Sequence, residues 1–234
     1  MGLDSIGMRA GHWMPYAIWI GGMMLANILA TGAAWIYAIK SGLVVATLAW
    51  LKPWRLYPRL TGTDWIWGLG IGVAVTLAWI LPETPWVPDS FREVYNRWCI
   101  LPIGAFPDYF PQAPTSDYEP AICGWWLTVA KLFGSAFAIP VAEELFFRGW
   151  LYRWIQGGNT WENSSAAYVS RAFWLVVLCF ALEHDRVLAG ALAGLAYGYL
   201  ANVRGSLRSA ILAHCTTNLL LGLYVILATD YRFW

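Results

Sequence analysis

Two adjacent glutamates interrupt an apolar stretch of this chain, in Ala142-Glu143-Glu144-Leu145-Phe146-Phe147-Arg148-Gly149. Carboxylates in an apolar segment are costly to keep and usually serve a function. Glu144 and Arg148 are four residues apart, so on a helix they share a face and can pair. That pairing neutralises Glu144 and holds it ionised. Glu143 is turned by about 100° from its neighbour and is out of register with the arginine. It is therefore the carboxylate left free, and the chemistry open to it is general-base catalysis. Pro140 lies one turn earlier, where a missing N–H removes a backbone hydrogen bond and can bend the helix toward a cavity.

Two further polar groups stand in apolar surroundings. Phe180-Ala181-Leu182-Glu183-His184 ends a short apolar run on a histidine. A lone histidine in such a place is more often structural or interfacial than catalytic. His214-Cys215-Thr216-Thr217-Asn218 places His214 and Asn218 four apart, facing one way on a helix. Such a pair can serve simply as glue between helices. The chain has only 3 histidines, however. His184 and His214 both fall in apolar runs downstream of the two glutamates.

The elements that must position these groups follow from composition. Of 234 residues, 59% are hydrophobic and 12% charged, against about 25% charged in soluble domains. Most of the chain is not in water. The net charge of +1 gives no sign of a nucleic-acid partner. The 17 tryptophans suit the membrane–water boundary, where indole rings are enriched. At about 20 apolar residues per crossing, about seven spans are expected, at residues 15–30, 34–51, 64–81, 124–149, 170–184, 187–203 and 207–229. The fold class is all-α: a polytopic membrane helix bundle with one long external loop, 82–123. The first two spans can alternatively form one long tilted helix. Residues 1–123 are expected to hold the N-terminal transmembrane helices and this loop, and residues 124–229 the catalytic helix core, as one integrated domain. No cleavable signal peptide is evident.

Basic residues favour a cytoplasmic N-terminus. That orientation places Arg9, Lys52, Arg55, Arg59, Arg153, Arg171, Arg204 and Arg208 inside, and Arg92, Arg97, Arg186 and Arg232 outside. Lys40 falls within the second span. The external loop is Pro-rich and acidic, with one short helix expected at 91–98. It contains Cys99 and Cys123, which can pair in an oxidising compartment or remain two thiols. Gly190, Gly194 and Gly198 form a stripe that predicts close helix packing.

Taken in order, Glu-Glu-x-x-x-Arg, Phe-x-x-x-His and His-x-x-x-Asn resemble the signature of the CAAX proteases and bacteriocin-processing enzymes, the CPBP or ABI family of intramembrane endopeptidases. The resemblance covers about the last 110 residues, from the fourth span onward. The abundant tryptophan and the length are similar to a bacterial, exosortase-associated subgroup related to CAAX prenyl proteases. The resemblance implies that Glu143 and His184 activate a water, that Glu144 and Arg148 pair in support, and that His214 and Asn218 stabilise the oxyanion. It implies an intramembrane glutamic-type peptidase with no cofactor, in a bacterial inner membrane. The implied substrate is a membrane-associated or C-terminal-tail protein, with a link to a protein-sorting system. A zinc-dependent variant would use Glu143, His184 and His214 as ligands with one position open, although His-Glu-x-x-His is missing. A non-catalytic immunity factor, scaffold or transporter is the reading from another class.

One geometric condition must be met. In straight helices Glu143 lies about 28 Å down its span and His184 about 21 Å up the next. The two reach one depth only if the fourth helix starts above the membrane, near Trp125, and the fifth below it, near Ser164.

Overall fold

The computed structural model describes residues 3–29, 32–104, 116–157 and 168–234. Among these the regular structure is entirely helical. The principal elements are α1 (Leu3–Leu29), α2 (Ala33–Leu51), α3 (Gly62–Ile80), α4 (Asp89–Cys99), α5 (Trp125–Gly157), α6 (Ser170–Leu182), α7 (Val187–Val203) and α8 (Leu207–Ala228). Residues 33–51, 62–83, 125–157 and 207–228 are long and apolar enough to cross a membrane. The two shorter apolar helices, α6 and α7, lie between them in the chain.

The first two expected spans are separate helices. Gly32 adopts φ 69°, ψ 25°, a left-handed conformation that breaks the chain between them. α1 begins about three turns before the expected residue 15 and brings His12 into a buried helical position, where its Nε2 is 2.7 Å from the hydroxyl of Tyr57. α3 starts on a capping box, in which Thr61 and Asp64 satisfy each other's backbone N–H. α4 corresponds to the expected loop helix.

α5 extends two turns past the expected end at 149 and contains two wide π turns, Gly134–Ala138 and Leu145–Leu151. The first immediately precedes Pro140, whose missing N–H cannot complete a regular α turn. The second lies across the segment from Glu144 to Arg148; such π insertions are frequent at functional sites.

α6 has 13 residues, about 20 Å of helix, too short for a straight crossing of a core about 30 Å thick. The fourth expected span does start at Trp125, as the depth condition requires. His184, just past the end of α6, is half-buried and lines the cavity that Glu143 also lines; Ser164, near which the fifth helix is expected to start, lies outside the described residues.

α7 packs on α6 along the expected glycine stripe. A Cβ on Gly190 would lie 3.2 Å from the carbonyl oxygen of Ala181, and one on Gly198 would lie 2.8 Å from the ring of Phe173. The tighter crossing is that of α3 on α8. A Cβ on Gly72 would come within 2.6 Å of the Cβ of Thr216 and 2.7 Å of the carbonyl oxygen of Ala213. The core gathers Leu145, Phe147, Phe180, Tyr197, Leu200 and Ala213 around the polar residues of the motifs.

The loop acids are partly committed. Glu83 is buried and pairs with Arg186 at 2.5 and 3.0 Å, with Arg232 at 3.8 Å. Cys99 and Cys123 are both free thiols.

Candidate active site

The three motif segments converge. α5 supplies Glu143, Glu144 and Arg148, the end of α6 supplies His184, and α8 supplies His214 and Asn218. Glu143, His184, His214 and Asn218 all line a single cavity of about 360 Å³. Glu144 and Arg148 lie behind it, both side chains fully buried.

The buried pair is the frame of the site. Arg148 donates from Nη1 to Glu144 Oε1 at 2.9 Å and from Nη2 to the carbonyl oxygen of Gly194 at 3.2 Å. Its guanidinium carbon is 4.4 Å from the centre of the Phe180 ring. The arginine thereby ties α5 to α7 and rests on a residue of α6.

Glu144 does more than neutralise the arginine. Its Oε1 also lies 3.0 Å from His214 Nδ1. A carboxylate can only accept, so Nδ1 carries the proton and the ring orientation is fixed. Nε2 then points toward Glu143, at 3.7 Å from Oε2. Tyr197 stacks on the imidazole at 4.7 Å and 21°, and its hydroxyl is anchored on Thr217 at 2.8 Å.

His184 is oriented in the same way by a different partner. Its Nδ1 is 2.8 Å from the carbonyl oxygen of Phe180. The carbonyl fixes the proton on Nδ1 and leaves Nε2 for another partner. Phe180 and Trp79 hold the ring from two sides, with centres 4.8 and 5.3 Å away. Glu143 Oε2 is buried and has no hydrogen-bond partner. An orphaned carboxylate oxygen beside a polar cavity is a place for water or a reacting group. Asn218 donates one amide hydrogen to the carbonyl oxygen of Ser135 at 2.9 Å, which leaves its second for a ligand.

Glu143, His184 and His214 share the cavity. Among the described residues, however, no three His, Cys, Asp or Glu side chains are gathered closely enough to hold a metal ion.

Two residues of the site were not singled out by sequence reasoning. Glu183 lines the same cavity and accepts a hydrogen bond from the hydroxyl of Tyr16. Its signal was a carboxylate next to His184 in an apolar run. Tyr16, on α1, stacks on Phe146 at 4.3 Å and 18° and meets Phe147 edge-on at 5.6 Å. No sequence signal marks Tyr16, because its role depends on α1 lying against α5.

Residues 125–220 match the family described as type II CAAX prenyl endopeptidase, Rce1-like. The match contains all six motif residues. No curated protein and no solved structure matches the chain.

Proposed function

We propose that this chain, whose residues 125–220 belong to the CAAX-protease family, is an intramembrane endopeptidase that cuts membrane-associated proteins with a water held between Glu143 and His184, without a metal. The membrane setting follows from its apolar helices and the proteolytic class from its family. The catalytic roles are our assignment. They are supported chiefly by the unpartnered Oε2 of Glu143, which faces a cavity that His184 also lines.

In this reading Glu143 accepts one proton of the water, and His184 Nε2 accepts a hydrogen bond from the other. The oxygen attacks the peptide carbonyl. Asn218 donates its remaining amide hydrogen to the oxyanion, as oxyanion donors do. His214 donates from Nε2 only while its imidazole is doubly protonated, because Nδ1–H is spent on Glu144. When the tetrahedral adduct collapses, Glu143 returns its proton to the leaving amine. Glu144 and Arg148 touch no substrate and position His214.

The test compares the membrane proteomes of cells expressing wild type and Glu143→Gln. Uncut precursors accumulate in the variant. On a substrate so identified, Glu143→Gln and His184→Ala each lower turnover about 10²–10⁴-fold. Full activity in Glu143→Ala overturns the proposal. Metal analysis of a chelator-washed, active sample separates this mechanism from a zinc-dependent one. We further assign the N-terminus to the cytoplasmic side, on the distribution of its basic residues, and the protein to a bacterial inner membrane, on its resemblance to the bacterial members of the family.

A further inference from the structure

The loop between α3 and α5 carries an apolar face that the described residues leave uncovered. In α4, Phe91, Val94 and Trp98 follow one another at i, i+3 and i+7, which gathers them within an arc of about 60°. Their exposures are 53, 59 and 57%. Trp86 before the helix and Ile103 after it are exposed as well. Asp89, Glu93 and Asn96 lie on the opposite arc. Tyr95, beside the apolar arc, is the buried residue of the helix. Aromatic and aliphatic side chains on one arc, with charges on the other, are the pattern of helices that lie in the plane of a membrane surface.

The position of α4 along the chain decides what that face meets. Residues 62–83 and 125–157, on either side of the loop, are each long and apolar enough to cross a membrane. Among the described residues between them no helix is. α4 itself has 11 residues, about 17 Å of helix, against a hydrocarbon core about 30 Å thick. The chain therefore leaves and re-enters the bilayer on one side, with α4 between. From Glu83 to Asp89 is a reach of at most about 20 Å. The helix is also folded back on the end of α3, because Arg92 Nη1 donates to the carbonyl oxygen of Thr84 at 3.4 Å. Trp125 and Trp126, both exposed, open α5 at the same boundary, where indole rings are enriched. The uncovered face is thus held beside a lipid surface that the molecule already occupies.

We propose that α4 is an interfacial helix, and that Phe91, Val94 and Trp98 insert among the headgroups and upper acyl chains of the leaflet that α3 leaves. Its partner is the bilayer surface. The segment that follows α4 meets the turn bearing His184: Leu101 donates its N–H to the carbonyl oxygen of Asp185 at 2.7 Å, and Gly104 donates its own back to the carbonyl oxygen of Arg97 at 2.7 Å. The helix thus ties the turn between α6 and α7 to the lipid surface. The proposal holds whether or not the chain cuts peptides.

The test uses the full-length wild-type chain in nanodiscs made with phosphatidylcholine that carries a photoactivatable diazirine, either near the top of the acyl chain or at its end. Adducts formed on irradiation are mapped by mass spectrometry. The expected result is that the shallow probe labels Phe91, Val94 and Trp98 and spares Glu93 and Asn96, while the deep probe labels the spans and not α4. In a folded Val94→Asp protein the adducts on Phe91 and Trp98 fall about tenfold, because such binding scales with the apolar area buried, whereas Val94→Leu keeps them. Should Val94→Asp fail to fold, the wild-type map decides alone. Shallow-probe adducts on α3 and α5 with none on α4 overturn the proposal. So does equal labelling of the two arcs, which would place the helix in water, and so do unchanged adducts in folded Val94→Asp. Cross-links between two copies through Trp98, in place of lipid adducts, overturn it as well and give the face to self-association.

Discussion

At the scale of single residues, the site is a division of labour between two adjacent carboxylates. Glu144 has Arg148 and His214 as partners on Oε1 and lies behind the cavity, while Glu143 lines the cavity and its Oε2 has no hydrogen-bond partner. One peptide bond apart, they differ because the helix turns one toward the arginine and the other toward the cavity. Removing the arginine leaves Glu144 buried and uncompensated, so Arg148→Met should destabilise the fold by about 3–5 kcal/mol. Thermal unfolding in detergent reads this, and an unchanged transition would show that the pair does not frame the site. Asn218→Ala leaves the frame intact and removes the proposed oxyanion donor. It should lower kcat by about 10²–10³ with little change in KM, as read in steady-state kinetics on an identified substrate.

At the scale of elements, the site depends on helices outside the family match. Tyr16 of α1 grips Phe146 and Phe147 on one side and Glu183 on the other. It thereby links the glutamate helix to the segment that ends on His184. Tyr16→Phe keeps the stacking and removes only the hydroxyl. It should leave the unfolding transition within about 1 kcal/mol of wild type, the net worth of one hydrogen bond, while slowing turnover and altering its pH profile by freeing Glu183. An unaltered pH profile would reduce Tyr16 to packing. The crossing of α3 on α8 gives a second test. Gly72→Ala forces a methyl group against Thr216 and the carbonyl of Ala213, and should cost about 1–3 kcal/mol in unfolding free energy. Gly70→Ala, with open space at that position, serves as the control.

For the whole molecule, the testable property is orientation. Cys99 and Cys123 lie in the loop assigned to the outside, and both are free. A membrane-impermeant maleimide should label them in intact spheroplasts. Burial pushes the Cys99 thiol above its ordinary value. Less of it is therefore thiolate at neutral pH, and its labelling should accelerate as pH rises, since the thiolate is the nucleophile. Labelling only after the membrane is broken would reverse the topology and place the loop in the cytoplasm.

Composition by itself determined that this chain lives in a membrane, because a sequence this apolar cannot cover itself with polar surface. Helix periodicity determined that Glu144 faces Arg148, since four residues always bring side chains to one face. The order of the motifs pointed to the family. Local pattern could show that the run ending on His184 is short, but not that His184 lines the same cavity as Glu143, or that the apparent glue of His214 is an imidazole held on Glu144. Those facts depend on how separate helices are offset along the membrane normal, and apolar residues are interchangeable along that direction. Glu183 and Tyr16 belong to the same class: only the packing of α1 on α5 brings them together. The two adjacent glutamates were legible as a pair from the start; their different partners were decided by the tertiary structure alone.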